Sequence, residues 1–486
     1  MSQILTGPAR HSIMFIKPTL GESCQMCTRH VVGSRGGAGR PRLSATAMAC
    51  LALTVATLGT GIAPALAQES LGADSKHGGH APIEEHNMAN PEPGLSFPEA
   101  KKAEWPPFIA DTKLGAQLRT YYLNRDKFDP SRIEAWAVGG SISYRSGYLF
   151  DVFRIGAVGY TSQPLYAPDE YDGTGLLKPD QTGYTVLGQA YGEFKLTDRV
   201  FAAFGRKAYN TPYINEYDVR MTPYTFQGGA VYGTAGGEAG APRWHFGGGY
   251  VSKMKDWTST DFVSMSQIAG APAGIDRGVY AAGVTYEHKN FSLALWEYYS
   301  DDIINIIYSE GKYTLPGTQG YKLSFGAQYS DQQSTGDDLL TGSDFSTSQW
   351  GVSSDLSFAS AKLTLAYTST ADGSTMRSPW SGYPGYTSVQ VEDFNRAGEN
   401  AWMFKAAYDF SHLGAQGLTA YALAVLGSDV QAPNYNENEY DFNLQWTPKE
   451  GLLKNSSWRV RYARVTQRAP GKPALNDFRV IVNYDF

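Results

Sequence analysis

Cysteine is almost missing from this chain: all three residues, Cys24, Cys27 and Cys50, lie within the first 67 positions. The rest has none, which excludes a disulfide framework and suits export through an oxidising compartment. Beyond the N-terminal region no run of about 18 apolar residues occurs, so membrane-spanning helices are excluded. A basic excess is lacking too. The 41 Lys and Arg face 47 Asp and Glu, which argues against nucleic acid as a partner. Histidine is scarce, and after residue 107 only His245, His288 and His412 remain.

What is abundant is aromatic residues (13%, with 32 Tyr) and glycine (53), as expected of many short strands with aromatic girdles. The final nine residues show the pattern most plainly. Phe478, Val480, Val482, Tyr484 and Phe486 fall on one side of an extended strand, and Arg479, Asn483 and Asp485 on the other, with Ile481 its only apolar member. Such a strand ending on an aromatic residue resembles the closing strand of a bacterial outer-membrane β-barrel. That resemblance implies that the assembly machinery reads Phe486.

Residues 1–67 read as a presequence. Arg29, Arg35, Arg40 and Arg42 precede an apolar stretch from Met48 to Leu58, and Ala65-Leu66-Ala67 forms a small-residue cleavage site before Gln68. Met14 and Met26 offer alternative starts within it. Its removal takes away six basic residues and one acid, so the mature chain is clearly acidic. Residues 68–107 form a polar leader with His77, His80 and His86. Three histidines at this spacing could capture a transition metal, but such tracts are usually flexible, so no metal and no cofactor is expected.

From Lys113 onward the two-sided strand recurs between Gly, Pro, Asp and Asn clusters. Leu114, Leu118 and Tyr122 oppose Lys113, Gln117 and Arg119; Trp136 and Ile142 oppose Ser141, Ser143 and Arg145; Trp244 and Phe246 oppose Arg243 and His245. Tyr440, Phe442 and Leu444 oppose Glu439, Asp441 and Asn443, while Trp458, Val460 and Tyr462 oppose Arg459 and Arg461. Leu149–Tyr160 and Val200–Arg206 resist phasing, as a bulge or a strand leaving the bilayer would cause. A soluble sandwich or propeller would also alternate, but its polar face need not be so uniformly charged. In hydrocarbon an open sheet edge is forbidden, so the expected fold is all-β: a closed transmembrane antiparallel β-barrel over residues 108–486. At about 20 residues per strand and connection, about 18 strands fit, with 16 as the alternative.

Gly205-Arg206-Lys207-Ala208-Tyr209-Asn210-Thr211-Pro212, followed by Asp218-Val219-Arg220-Met221-Thr222-Pro223-Tyr224-Thr225-Phe226, is the most specific motif. It resembles the third-loop region of the outer-membrane porin D (OprD) family, the substrate-selective porins of Gram-negative bacteria. Supporting matches are Tyr121-Tyr122-Leu123-Asn124-Arg125, Asp393-Phe394-Asn395-Arg396-Ala397-Gly398-Glu399 and the strands around Arg459, Arg461 and Arg479. Tyr217 and Val219 depart from the pattern. The resemblance implies an approximately 18-stranded barrel with inward-folded loops. It also implies a monomeric channel in outer-membrane lipid, with a ladder of lumenal basic residues guiding small carboxylate-bearing solutes; the residues themselves leave monomer or trimer open.

The residues support a ladder independently. Arg119, Arg145, Arg243, Arg459, Arg461 and Arg479 lie on the parity away from lipid, and each guanidinium is a permanent planar fork matching a carboxylate. Arg206 and Arg220 are added from the third-loop motif. The plainer alternative is that these arginines pair with acids such as Glu439, Asp441 and Asp409. Glu216 and Asp218 could select a solute's ammonium group or be solvated loop charges. Ser378–Glu399 is too long for a hairpin turn, and its Tyr383 and Tyr386 belong to a loop expected to fold inward and narrow the channel. A barrel enzyme would need a nucleophile with histidine and carboxylate partners; His288 and His412 fall at turns, and His245 has arginine nearby in sequence. The expected function is therefore selective passive diffusion, not catalysis, with a general-diffusion pore as the alternative.

Overall fold

The computed structural model describes residues 95–96, 105–316 and 320–486. The presequence and the leader histidines lie outside the described residues. Among them, eighteen long strands alternate in direction: β1 (Lys113–Asp126), β2 (Arg132–Arg145), β3 (Phe153–Tyr166), β4 (Tyr184–Thr197), β5 (Val200–Lys207), β6 (Thr225–Gly236), β7 (Arg243–Lys255), β8 (Val279–His288) and β9 (Phe291–Ser300). They continue as β10 (Ile304–Thr314), β11 (Tyr321–Gln333), β12 (Ser346–Phe358), β13 (Ala361–Thr370), β14 (Asn400–Asp409), β15 (Leu418–Ser428), β16 (Glu437–Trp446), β17 (Ser456–Gln467) and β18 (Leu475–Asp485). Each pairs with its sequence neighbour. The sheet closes because β18 returns to β1, from Gln117 opposite Asp485 to Asp126 opposite Asn476. Closure removes both edges, so the ladder groups of the first and last strands are paired. Leu95–Ser96 of the leader pairs with Lys113 and Leu114 at the base of β1.

The alternation read from the sequence holds around the ring. Leu118 (49% exposed) and Ile142 (71%) face outward with Phe204, Trp350, Phe442 and Trp458, an apolar exterior that suits hydrocarbon. Aromatic pairs mark both ends of this belt: Tyr250 with Tyr280, and Tyr367 with Trp402, at one end; Trp244 with Tyr286, and Tyr484 with Phe486, at the other. The two stretches that resisted phasing have a structural cause. Leu149–Val152 is a turn, after which β3 keeps one parity with Gly156, Val158 and Tyr160 buried. The register shift opposite Val158 and Gly159 skips Gly188, so β4 changes faces there; Val200–Arg206 follows a second shift between Lys195 and Thr197.

One end of the barrel carries short turns together with the start of β1 and the end of β18; the other carries long connections. The latter include 167–183 (L2), 208–224 (L3), 256–278 (L4) and 371–399 (L7). In outer-membrane barrels short turns face the periplasm and long loops the exterior. The largest apolar cluster lies at the long-loop end, where Tyr213 and Ile214 of L3, Met265 of L4 and Trp380 and Tyr383 of L7 pack on Phe226, Tyr298, Ile306 and Tyr308 of the strands. A packed plug of loops therefore takes the place that a hydrophobic core has in a soluble domain. Leu118→Arg places a charge near the middle of the lipid belt and should destabilise the folded barrel by about 2–4 kcal/mol in a urea titration from lipid vesicles; no loss would mean that Leu118 does not face hydrocarbon.

Candidate functional site

L3 bends inward because its own polar groups hold it in tight turns. Thr211 donates its hydroxyl to Ile214 O (2.9 Å), and Asn215 Oδ1 accepts from Tyr217 N (3.0 Å). Tyr213 anchors the bend. Its ring meets those of Tyr298, Tyr308 and Tyr383 edge-on at 5.7, 6.2 and 6.3 Å, and its hydroxyl lies 2.7 Å from Ser330 Oγ on β11. The far side of the loop is fixed by charge. Arg119 of β1 makes a two-pronged pair with Asp218, Nη1 to Oδ1 at 2.7 Å and Nη2 to Oδ2 at 2.8 Å. Its Nη1 also donates to Arg220 O (2.8 Å) and its Nε to Asn483 Oδ1 (2.9 Å). Arg119 and Asp218 are both buried, so they pin L3 across the bore. Glu216 is buried beside them, its carbonyl accepting from Tyr224 N at 2.6 Å.

L7 folds inward from the opposite side, as expected. Trp380 is fully buried and donates Nε1–H to Met265 O (2.9 Å), and Ser381 Oγ donates to Pro212 O of L3 (3.3 Å). A Cβ on Gly382 would fall 2.3 Å from the Tyr217 ring, so that position requires glycine where the two loops cross. Tyr383 is buried against Tyr213, and Tyr386 donates its hydroxyl to Glu310 Oε1 on β10 (3.0 Å). The loop then reaches β16 and β18. Glu439 accepts from Val391 N and Glu392 N (both 2.8 Å), Asp441 accepts from Gln390 N (3.2 Å), and Gln390 Nε2 donates to Asp477 Oδ1 (2.7 Å). The acids Glu439 and Asp441, read as arginine partners, thus hold the loop backbone. Asp409 ends β14 at the other end of the barrel, accepting from Ser411 N of the following turn (2.8 Å).

The arginines divide into groups. On β17, β18 and β1, neighbours in the sheet, Arg461 stands directly opposite Arg479, with Arg459, Arg119 and Arg125 on the same lumenal side. Arg479 pairs with Asp477 (2.6 Å) and donates to Gln390 O (3.0 Å); Arg125 reaches the other oxygen of Asp477 (2.6 Å). Arg459 donates Nε–H to Asn443 Oδ1 (2.6 Å) and Arg461 donates to the Tyr421 hydroxyl (3.3 Å). Arg220 in L3 stacks on Trp257 (4.8 Å) and donates to Thr174 O (3.0 Å); burial and the nearby Arg479 charge lower its proton affinity. Arg145 and Arg243 sit at the short-turn end of the lumen, far along the strands from this group. Arg206 is a correction. Phe204 is 51% exposed on the outer face and Lys207 contacts lumenal Glu193, so Arg206 between them faces outward, because successive side chains alternate.

Sequence reasoning missed Asp477, Arg125, Gln390 and a second lumenal cluster. Glu193 of β4 receives Arg154, the Tyr232 hydroxyl, Lys207 (3.6 Å) and the Tyr148 hydroxyl (3.1 Å). Asp477 was legible as the same-face neighbour of Arg479, two residues away. Gln390 gave no signal, since an amide in a loop has no periodicity. His245 lies 3.4 Å from Glu287 across the sheet, an acid its sequence neighbourhood did not reveal.

Two outcomes follow. Asp218→Asn leaves the buried Arg119 without its carboxylate, at a cost of about 3–5 kcal/mol, and should release L3, read as larger and noisier single-channel currents. Wild-type current from that variant would show that L3 is held elsewhere. In L7, burial and then the neighbouring Glu437 carboxylate push the Glu392 carboxyl up to about 8, with Arg396 opposing. The docked loop therefore favours the protonated form, and its stability falls as pH rises, reaching its minimum once pH exceeds about 8. Protection of the amides at residues 388–393, corrected for the intrinsic pH dependence of exchange, should fall as pH rises from about 4.5 to about 8, and Glu392→Gln should flatten that fall; a fall that persists in the variant would assign it to another group.

The comparisons with known proteins agree with this architecture. A family model described as outer membrane porin, OprD family, matches residues 106–486. Porin D of Pseudomonas aeruginosa is 24% identical over 430 residues, covering 79% of this chain and 92% of that protein. The crystal structure of Pseudomonas aeruginosa OccK9 (OpdG) aligns with a TM-score of 0.70 at 23% identity, over 78% of this chain and all of that one. Pseudomonas aeruginosa OpdK, crystallised with vanillate, aligns with a TM-score of 0.68 at 21% identity, over 78% and 99% of the two chains. A closed eighteen-stranded barrel with two loops locked across its bore, matched over its whole length by the family model, makes this chain a member of the OprD family of outer membrane porins.

Proposed function

We propose that the channel selects small carboxylate-bearing solutes, drawn along the arginine wall of β17, β18 and β1. The observation that carries this reading is Arg461 directly opposite Arg479, with Arg459 two residues further along the same face. Like charges facing each other across a sheet repel, and an anion passing between them relieves that repulsion. Asp477 and the Gln390 carbonyl already engage Arg479, which makes it a fixed end of the row. Arg459 donates to the Asn443 amide and Arg461 to the Tyr421 hydroxyl, so their guanidinium groups are oriented on the lumenal face, where their planar forks match a carboxylate. Sites in series of moderate strength admit an anion and release it. That the related OpdK was crystallised with vanillate, itself a carboxylate, supports the same solute class.

Under this reading residues 1–67 are removed on export, 68–107 form the leader and 108–486 the channel. No catalytic role is assigned to any residue. Phe486 bonds through its N–H to Ala116 O (2.9 Å) at the seam where β18 meets β1, a place consistent with recognition by the assembly machinery.

Replacing both Arg459 and Arg461 with Gln should slow uptake of a carboxylate solute into proteoliposomes by about tenfold, the size of one lost charge-assisted hydrogen bond. Reversal potentials in planar bilayers should shift toward cations. A large, unselective conductance in both proteins would favour a general-diffusion pore instead.

A further inference from the structure

Arg206 outside the bore leads to a site on the outer wall. It stands in one register row across four strands: Ala190 of β4 opposite Arg206, Arg206 opposite Gln227 of β6, and Gln227 opposite Lys253 of β7. The row lies at the long-loop end. Arg206 Nε donates to Gln227 Oε1 (3.3 Å), and its guanidinium lies 4.2 Å from the ring of Phe262 in L4. The register shift after Gln227 extrudes Ser252, whose hydroxyl bonds Gln227 O (3.1 Å). Among the described residues neither Arg206 nor Lys253 makes an ion pair with a carboxylate. Asp261, next to Phe262, is exposed, with its backbone N–H bonded to Ser259.

The surface here is concave. Arg206, Gln227, Ser252 and their small neighbours Ala190, Gly205 and Gly228 line a depression of about 450 Å³. A second, apolar furrow of about 240 Å³ follows toward mid-bilayer, floored by Ala202, Gly229 and Gly248 and edged by Phe204 and Val231. Gly229 is open enough that an added Cβ would meet nothing closer than 3.6 Å. Two cations without acidic partners at the edge of a hydrocarbon belt, above a furrow that runs into it, match one occupant: a lipid with an anionic headgroup and an acyl tail. Guanidinium presents a fork fitted to phosphate oxygens, and the ammonium adds a second donor.

We propose that this wall binds a phosphate-bearing lipid of the outer leaflet, its phosphate on Arg206 and Lys253 and one acyl chain in the furrow. The site is separate from the lumen and does not depend on which solute the channel carries. Native mass spectrometry of the folded barrel, with lipid A carrying its phosphates and with dephosphorylated lipid A as probes, tests it. The wild type should retain the phosphorylated form preferentially. Arg206→Gln with Lys253→Gln should lower that retention by about thirtyfold, and Lys253→Gln alone by about fivefold, while single-channel conductance stays at the wild-type value. The single variant serves if the double variant does not fold. Equal retention of both lipids by the wild type, or unchanged retention in the variants, would overturn the proposal. So would a wild-type oligomer that the same substitutions dissociate, since the wall would then be an interface between copies.

Discussion

Pairing of every backbone N–H and C=O inside hydrocarbon, where no water can substitute, is the condition on which the structure rests. Strand β18 meets that condition by returning to β1, and the seam fixes much else. It places the first and last strands side by side, so Arg119 and Arg125 from one end of the sequence join Arg479 from the other on a single wall. It also sets which face of each strand is wet. The charged side chains of the lumen are a consequence of closure, because the outer face has no place for them at mid-depth.

A closed cylinder of this size has no apolar interior to hold it together, and the loops supply one at a single end. Tyr213 and Trp380 bury their rings where L3 and L7 cross, while Arg119–Asp218 and the Glu439 carboxylate tie the two loops to opposite parts of the wall. Apolar burial sets the position of the plug and charged pairs set its orientation. The same guanidinium groups that give the lumen its character therefore also build the constriction. Arg119 and Arg479 hold loops, through Asp218 and the Gln390 carbonyl, while Arg459 and Arg461 also bond Asn443 and Tyr421 of the wall.

The barrel itself was legible in the sequence. Period-two alternation in Leu114–Tyr122, Tyr440–Trp446 and Phe478–Phe486 reports which side meets lipid, since solvent preference acts on each side chain locally. The inward loops were legible from the length and rigid composition of Ser378–Glu399 and from the third-loop motif. Arg206 was misplaced because Val200–Arg206 resisted phasing and its role was carried over from the third-loop motif. Its strand parity, with Phe204 two residues before it, carried the contrary signal. Asp218 looked like a solvated loop charge because its partner, Arg119, is 99 residues away.

By itself the sequence determined the all-β class, the approximate number of strands, their two faces and the permanent positive charge of the lumen, because these depend on spacing of two residues and on composition. Only the tertiary structure decided which arginine meets which acid, that Glu439 and Asp441 hold the loop backbone, and that Arg206 stands on the outer face. Those outcomes depend on register between strands distant in the chain and on where loops cross, and no local pattern encodes either. Side-chain chemistry limits the possible partners, and the closed ring chooses among them.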